Sequence, residues 1–323
     1  MNKNKGILIE YAYFVCLMAI ALILAFCSRL TNAVTEGISL WATCVLPGAF
    51  PFAVITALLS SLSVTGKISN RFSPLTKRAF RINGAVSYAF FMSLLAGYPL
   101  GATLVGNLKE KGVLSNAESV RASVLCSTSS LTFTMVSVGN IMFNDALFGV
   151  GLFLCHILST IFVAIIFSFY KRKERPTEFT PTISVKTDNV FYESIYSSAL
   201  SIIAVGGIIT VFCLLTELLL TFHVLDPVIF LLSSVVGKTN GKAITVGAFE
   251  CTKGLKILSS ANLSIFSLPI ACAIVSFGGL SVIVQSTAFL KKAKIKTAPF
   301  ILSKVFSAVL SFLFGLIFSF IFY

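Results

Sequence analysis

Residues 85–105 read AVSYAFFMSLLAGYPLGATLV, and this stretch decides the fold. At about 1.5 Å per helical residue, a mostly apolar run of this length crosses the hydrocarbon core of a bilayer. Its second half nevertheless contains Gly97-Tyr98-Pro99-Leu100-Gly101, and two glycines around a proline do not continue a regular helix. A helix broken at membrane depth frees backbone N–H and C=O groups, which are tolerated only where protein, water or ligand satisfies them. An interrupted span is therefore a place to look for a site.

The whole chain fits that setting. Its 323 residues are 56% hydrophobic and only 11% charged, with mean hydropathy +0.95. Soluble domains carry about 25% charged residues, so lipid is the main solvent, and a soluble enzyme or a nucleic-acid-binding module is excluded. The net charge of +13, from 25 Lys+Arg against 12 Asp+Glu, reads as cytoplasmic loops rich in basic residues, with no nucleic-acid partner. Eight cysteines lie singly in apolar stretches without a C-x-x-C, as small buried hydrophobes do.

Outward from 85–105, the runs 7–27, 33–64, 147–170, 197–222, 243–258 and 299–323 read as further spans. Pro47, Gly48 and Pro51 make the second of these an amphipathic entry followed by a kinked span. Residues 65–83 are basic and interfacial. Ser115-Asn116-Ala117-Glu118 has capping-box spacing and starts a helix. Residues 122–139, rich in hydroxyls, and 264–290, interrupted at Gly278-Gly279-Leu280-Ser281, read as re-entrant hairpins buried in protein.

The order span, interfacial segment, interrupted span, hairpin, span then occurs twice, which reads as an internal repeat. The expected organisation is an N-terminal transmembrane helix at 1–32, a first repeat at 33–170, a cytoplasmic linker at 171–189 and a second repeat at 190–323. With the N-terminus inside and the C-terminus outside, nineteen of the 25 basic residues fall on the cytoplasmic side, Lys253, Lys256 and Lys304 among them. The expected fold is thus an all-α polytopic membrane protein of about seven transmembrane helices plus two re-entrant hairpins in an inverted repeat, the architecture of many secondary transporters.

Few residues in such a chain can carry chemistry. Glu250 lies inside an apolar run, where an acid costs about 2.5–3.5 kcal/mol on insertion scales. It reads as a substrate or proton site, or as a packing element paired with Lys253 on the same helical face. Gly97, Tyr98, Pro99 and Gly101 occupy the matching position of the first half. Ser127, Thr128 and Ser129, with Gly278, Gly279, Ser281 and Gln285, would complete a site between the repeats. Asn140 is a weaker candidate. N–H groups at half-helix N-termini there suit an anion. Glu217 and Glu10 read as interfacial, and His156 and His223 as core or interface residues, since neither has a metal-ligand partner at the usual spacing. No Walker, G-x-S-x-G or H-E-x-x-H motif occurs, so no catalytic residue, metal or cofactor is expected, and no enzyme.

Those same residues carry a family resemblance. Gly37-Ile38-Ser39-Leu40-Trp41 through Val45-Leu46-Pro47 and Pro51-Phe52, then Ala96–Ala102, Leu114-Ser115 to Glu118, Phe249-Glu250-Cys251-Thr252-Lys253-Gly254 and Gly278-Gly279-Leu280-Ser281-Val282 with Gln285 resemble the YlbJ-type sporulation integral membrane proteins. These stand among the wider nucleoside-recognition, or Gate-domain, membrane proteins. The resemblance covers roughly residues 33–323 and makes both halves Gate-like repeats. It implies a role in spore formation, at the outer forespore membrane of a sporulating host, and transport of a small anion, with dipicolinate the family's proposed substrate. Carried over by position, its motif residues are Gly97, Tyr98, Pro99, Gly101, Glu250, Thr252, Gly254, Gly278, Gly279, Ser281 and Gln285. Cys251 and Lys253 stand where an aliphatic and a variable residue are expected. The leading expectation is a transporter of a small anionic solute working by alternating access around a midplane site. The alternatives are a non-transporting scaffold for spore or envelope assembly and a permease for nucleosides or other solutes. Expected partners are the solute, the bilayer, and a second copy or sporulation membrane proteins.

Overall fold

The computed structural model describes residues 28–61, 64–174, 177 and 189–323, and these are helix and connecting turn with no strand among them. The expected span at 7–27, Glu10 and most of the linker lie outside the described residues. In chain order the elements are α1 (Ser28–Leu59), α2 (Val64–Leu75), α3 (Ala85–Ala96), α4 (Leu100–Glu110), α5 (Asn116–Leu125), α6 (Phe133–Met142) and α7 (Ala146–Phe167). After the linker come α8 (Val190–Thr221), α9 (Asp226–Val236), α10 (Lys238–Phe249), α11 (Cys251–Ser259), α12 (Ser267–Phe277), α13 (Gly279–Lys292) and α14 (Ala298–Phe322).

Five described helical segments are long and apolar enough to cross a membrane: α1, α7, α8, α14 and the stretch Ser267–Lys292 formed by α12 and α13. A sixth arises if Ser69–Phe80 and Ala85–Ala96, bent by 94°, are counted as one span. Outward-facing Leu158, Phe162, Ile165, Ile203, Val211, Leu313 and Ile317 are exposed to the surroundings. An apolar exterior over a core holding serine, threonine, glutamate and lysine inverts the soluble arrangement. The chain is an all-helical integral membrane protein.

The spans pack through small residues, as expected where lipid removes the hydrophobic drive between helices. Gly37 of α1 lies against the backbone of Thr210 on α8, Gly206 of α8 lies under the Trp41 ring, and the Trp41 indole N–H donates to the Ile202 carbonyl at 3.0 Å. Residues 41–45 of α1 form a wide π-helical turn just before Pro47, where a tight ladder would have lost a hydrogen bond. The proline-containing segment thus runs as one continuous helix, so the separate amphipathic entry expected before it is not formed. Two apolar clusters complete the interior, one around Leu125, Val163, Leu290 and Phe300, the other around Phe148, Leu255, Ala271 and Cys272.

The re-entrant hairpins are not where hydroxyl content placed them. Chain reversal occurs one element earlier in each half, between α3 and α4 and between α10 and α11. Gly254 packs on the backbone of Gly247 and Ala243, contacts that a straight helix would hold far apart. Residues 122–139 and 264–290 are instead helices broken in the middle, α5 to α6 and α12 to α13. Composition marks both kinds of segment alike, because a hairpin tip and an unwound helix need the same glycines and hydroxyls.

That shift relocates six charges. The Arg121 guanidinium donates to the carbonyls of Arg81, Tyr170 and Lys171, and Gly106 of α4 lies against Ala293. Arg121, and Lys109 and Lys111 at the α4 end, therefore lie at the linker end of the molecule. Lys253 binds Glu217, near the far end of α8, and Lys256 faces Glu36, so both leave the linker side. Lys304 is at neither end: it is buried in the middle. Two lysines move to the far end and three basic residues move to the linker end, so the basic excess stays with the linker.

Candidate functional site

Four interruptions meet at the centre, two from each half of the chain. At the first hairpin tip α3 ends on Gly97, with φ 73° and ψ −157°, a conformation that a side chain resists, and α4 starts directly after Pro99. A Cβ on Gly101 would overlap the Cys126 carbonyl oxygen and stand 3.0 Å from Ser93 Cβ. Only glycine lets this tip close onto the unwound stretch after α5. That stretch is held by side chains: Thr128 Oγ1 donates to Ser93 Oγ at 3.0 Å, and the Ser129 N–H donates to His156 Nε2 at 2.9 Å. Since Nε2 accepts, Nδ1 carries the imidazole proton and faces Ser276 Oγ at 2.8 Å. His156 is thus a fully buried clamp between two broken helices, the core role expected for it.

At the second tip the backbone of Glu250 is extended, and the residue caps α11, its carboxylate accepting the Lys253 N–H at 2.6 Å. A carboxylate at a helix N-terminus is stabilised by the free N–H groups and the macrodipole. The expected ion pair with the Lys253 ammonium is not formed. That ammonium turns away to Glu36 at 3.0 Å and Glu217 at 3.2 Å, and Arg29 joins Glu217 at 2.6 Å. The cluster bolts α11 to α1 and α8. Glu217, expected at an interface, is one of its two acids. The break between α12 and α13 is made by Gly278 and Gly279, both at positive φ, and a Cβ on Gly279 would lie 3.0 Å from the Gly247 and Phe249 carbonyl oxygens.

Between the breaks lies a cavity of about 60 Å³. Its polar lining is Tyr98, Ser129, Ser130, Glu250, Thr252, Ser281 and Gln285; Val45, Ala49, Phe133, Val205, Ile209, Val275 and Val282 supply apolar walls. Of the residues expected from sequence, Gly97, Tyr98, Ser129, Glu250, Thr252, Ser281 and Gln285 are brought together here. Gly101, Gly254, Gly278 and Gly279 shape the wall by permitting close backbone contact and do not themselves line this cavity. Ser127 and Thr128 stand one layer behind. Pro99 borders a second, mostly apolar cavity of about 270 Å³, which shares Ala49, Ala96, Tyr98, Val205 and Gln285 with the first and runs between α8 and α13 past Thr103, Ser201 and Phe289. Asn140 is exposed and lies apart. Among the described residues no cluster of His, Cys, Asp or Glu has the geometry to hold a metal ion.

Two features point to a ligand. The Ser281 hydroxyl is fully buried on the cavity wall and has no hydrogen-bond partner, an arrangement native interiors rarely leave unfilled. Each break also joins a helix C-terminus to a helix N-terminus, and among the lining residues that helix ends supply, Phe133, Cys251, Thr252, Ser281 and Val282 come from first turns, against Ala96 and Val275 from last turns. The cavity therefore faces the positive ends of the dipoles.

Sequence reasoning missed Lys304. Counted among the cytoplasmic basic residues, it lies 1% exposed, with Nζ 2.7 Å from the Tyr98 hydroxyl and 3.1 Å from Ser127 Oγ. A signal was available: Ser303, Ser307, Ser311, Gly315 and Ser319 recur every four residues and mark the buried face of α14, and Lys304 adjoins that stripe.

These features define a class: a polytopic helical membrane protein whose re-entrant tips and broken helices converge on a buried polar cavity. Within it, the chain is similar to the sporulation integral membrane protein YlbJ of Bacillus subtilis (strain 168), with 24% identity over 304 residues covering 86% of this chain and 74% of that protein. The YlbJ-type resemblance carried by the motifs thus extends along most of the chain. No family model matches, and no solved structure matches.

Proposed function

We propose that this protein carries a small anionic solute, of the size and charge of dipicolinate, across a membrane during spore formation, by alternating access around the central cavity. The observation that carries this reading is the convergence of four helix breaks on a cavity whose Ser281 hydroxyl lacks a partner. Unwound backbone at membrane depth is costly unless something satisfies it, and transporters place their substrates at such breaks. The similarity to a sporulation membrane protein supports the setting. The two halves, taken as inverted Gate-like repeats spanning residues 33–170 and 190–323, supply the rocking parts. The basic linker end is the cytoplasmic side by the positive-inside rule.

The two ends of the cavity support a state open toward the linker. The Arg29–Glu217–Lys253–Glu36 cluster closes the far end, while the apolar second cavity leaves a route between α8 and α13. Purified protein in liposomes is expected to take up labelled dipicolinate, and Glu250→Gln to alter that uptake. Absence of flux for dipicolinate and for a nucleoside, with Glu250→Gln indistinguishable from wild type in a sporulating host, would favour a scaffold.

A further inference from the structure

The centre of this protein holds two buried ionisable groups of opposite sign, and they are satisfied in different ways. Glu250 accepts a hydrogen bond from the first turn of the helix it caps, so its charge is met within its own hairpin. Lys304 projects from α14 and meets two neutral hydroxyls, Tyr98 and Ser127, with the Tyr98 ring centroid 4.3 Å from Nζ. Among the described residues no carboxylate lies within 4 Å of it. An ammonium has three donors and a full charge, and hydroxyls at 2.7 and 3.1 Å occupy two donors and neutralise nothing. Intramembrane charges of this kind persist where they serve a pathway or a ligand.

Its position strengthens the point. Tyr98 lines the cavity, so the charge of Lys304 sits one side chain behind the wall, next to the first hairpin tip. The cavity lining contains no Lys or Arg of its own. The partnerless Ser281 hydroxyl lies on that lining, contributed by the same half of the chain as Lys304 and opposite the first hairpin tip.

We infer that Lys304 is the anion-recognising charge of this site, selecting a small organic carboxylate that also bonds Ser281, with the Tyr98 side chain yielding as the carboxylate arrives. A single compact ammonium can answer one carboxylate group, and hydroxyls beside it can bond the remaining oxygens. This assignment rests on the proposed transport site and deepens it.

The test is a binding measurement that does not depend on transport. Wild-type protein in lipid nanodiscs is titrated with dipicolinate and with its neutral diamide, of the same shape. The wild type is expected to prefer the dicarboxylate at least tenfold, Lys304→Arg to keep most of that preference, and Lys304→Met to lose it while running as a monodisperse species. A purely structural lysine would change stability without changing the ratio of the two affinities. Equal affinity of the wild type for both probes overturns the assignment without any variant, as does an unchanged preference in Lys304→Met. Binding with the expected preference but no flux in liposomes would remove the transport reading and leave Lys304 as an anion-recognising residue.

Discussion

Two buried polar clusters lie in this molecule, and their difference separates architecture from site. At the linker end, the Glu118 carboxylate accepts from the backbone N–H groups of Asn83, Ser115 and Thr177 and from the Thr177 hydroxyl, while Arg121 spends all three of its nitrogens on carbonyl oxygens. Every strong group there is answered, and the cluster ties α5 to the turn before α3 and to the linker. At the centre the accounts do not balance. Ser281 has no partner, and Lys304 has no counter-charge among the described residues. A satisfied network specifies one structure; a deficient one awaits an occupant.

The largest effect separates neither cluster but removes the frame of both. Gly101→Leu drives a side chain into the Cys126 carbonyl and Gly254→Leu drives one into the Gly247 backbone, so overpacking should cost about 3 kcal/mol or more. Both variants should lose the monodisperse peak in detergent, whereas Gly207→Ala, with nothing within 4 Å of the added carbon, should keep it. Next in size, Glu118→Ala leaves buried donors unanswered and should cost roughly 3 kcal/mol. Its melting temperature should fall while the dicarboxylate preference of the surviving folded protein stays at the wild-type value.

Ser281→Ala should do the reverse. Removing a buried hydroxyl that has no partner relieves a desolvation cost of about 1 kcal/mol, so the variant should melt at or above the wild-type temperature and bind dipicolinate more weakly. A drop in melting temperature would mean that Ser281 is answered in the apo protein and that the contrast between the clusters is smaller than drawn. For Lys253→Met, Arg29 still answers Glu217 and Lys256 stays near Glu36, but the Lys253 side chain is itself buried, so the loss should be about 1–3 kcal/mol. The readout is access, with cavity residues becoming more reactive from the far side as the bolt between α11, α1 and α8 loosens.

The sequence carried the breaks better than it carried the topology. Gly97-Tyr98-Pro99, Glu250 and Gly278-Gly279 were legible because glycine, proline and an isolated acid are rare events in an apolar run, and each marks a break in the structure. The capping box at Ser115 and Glu118 was legible for the same local reason and is present, with both of its hydrogen bonds. Which broken segments reverse direction was not legible, since reversal depends on Gly254 meeting Gly247 and Gly101 meeting Cys126, contacts fixed only in three dimensions. Lys304 was lost to a rule of averages: a lysine near a span end usually reaches the interface, and here the small-residue face of α14 turns it inward.

The central claim is that the meeting point of the four breaks is a solvated, ligand-accessible cavity, as opposed to a packed joint. It is tested most directly by placing one cysteine at position 281 in a background freed of native cysteines, Cys251 on the lining included, and measuring its reaction with a small charged thiol reagent in folded protein. The account predicts steady labelling of Ser281→Cys that dipicolinate slows and its neutral diamide does not. No labelling of the folded protein, at a rate matching that of a lipid-buried control cysteine, would contradict it.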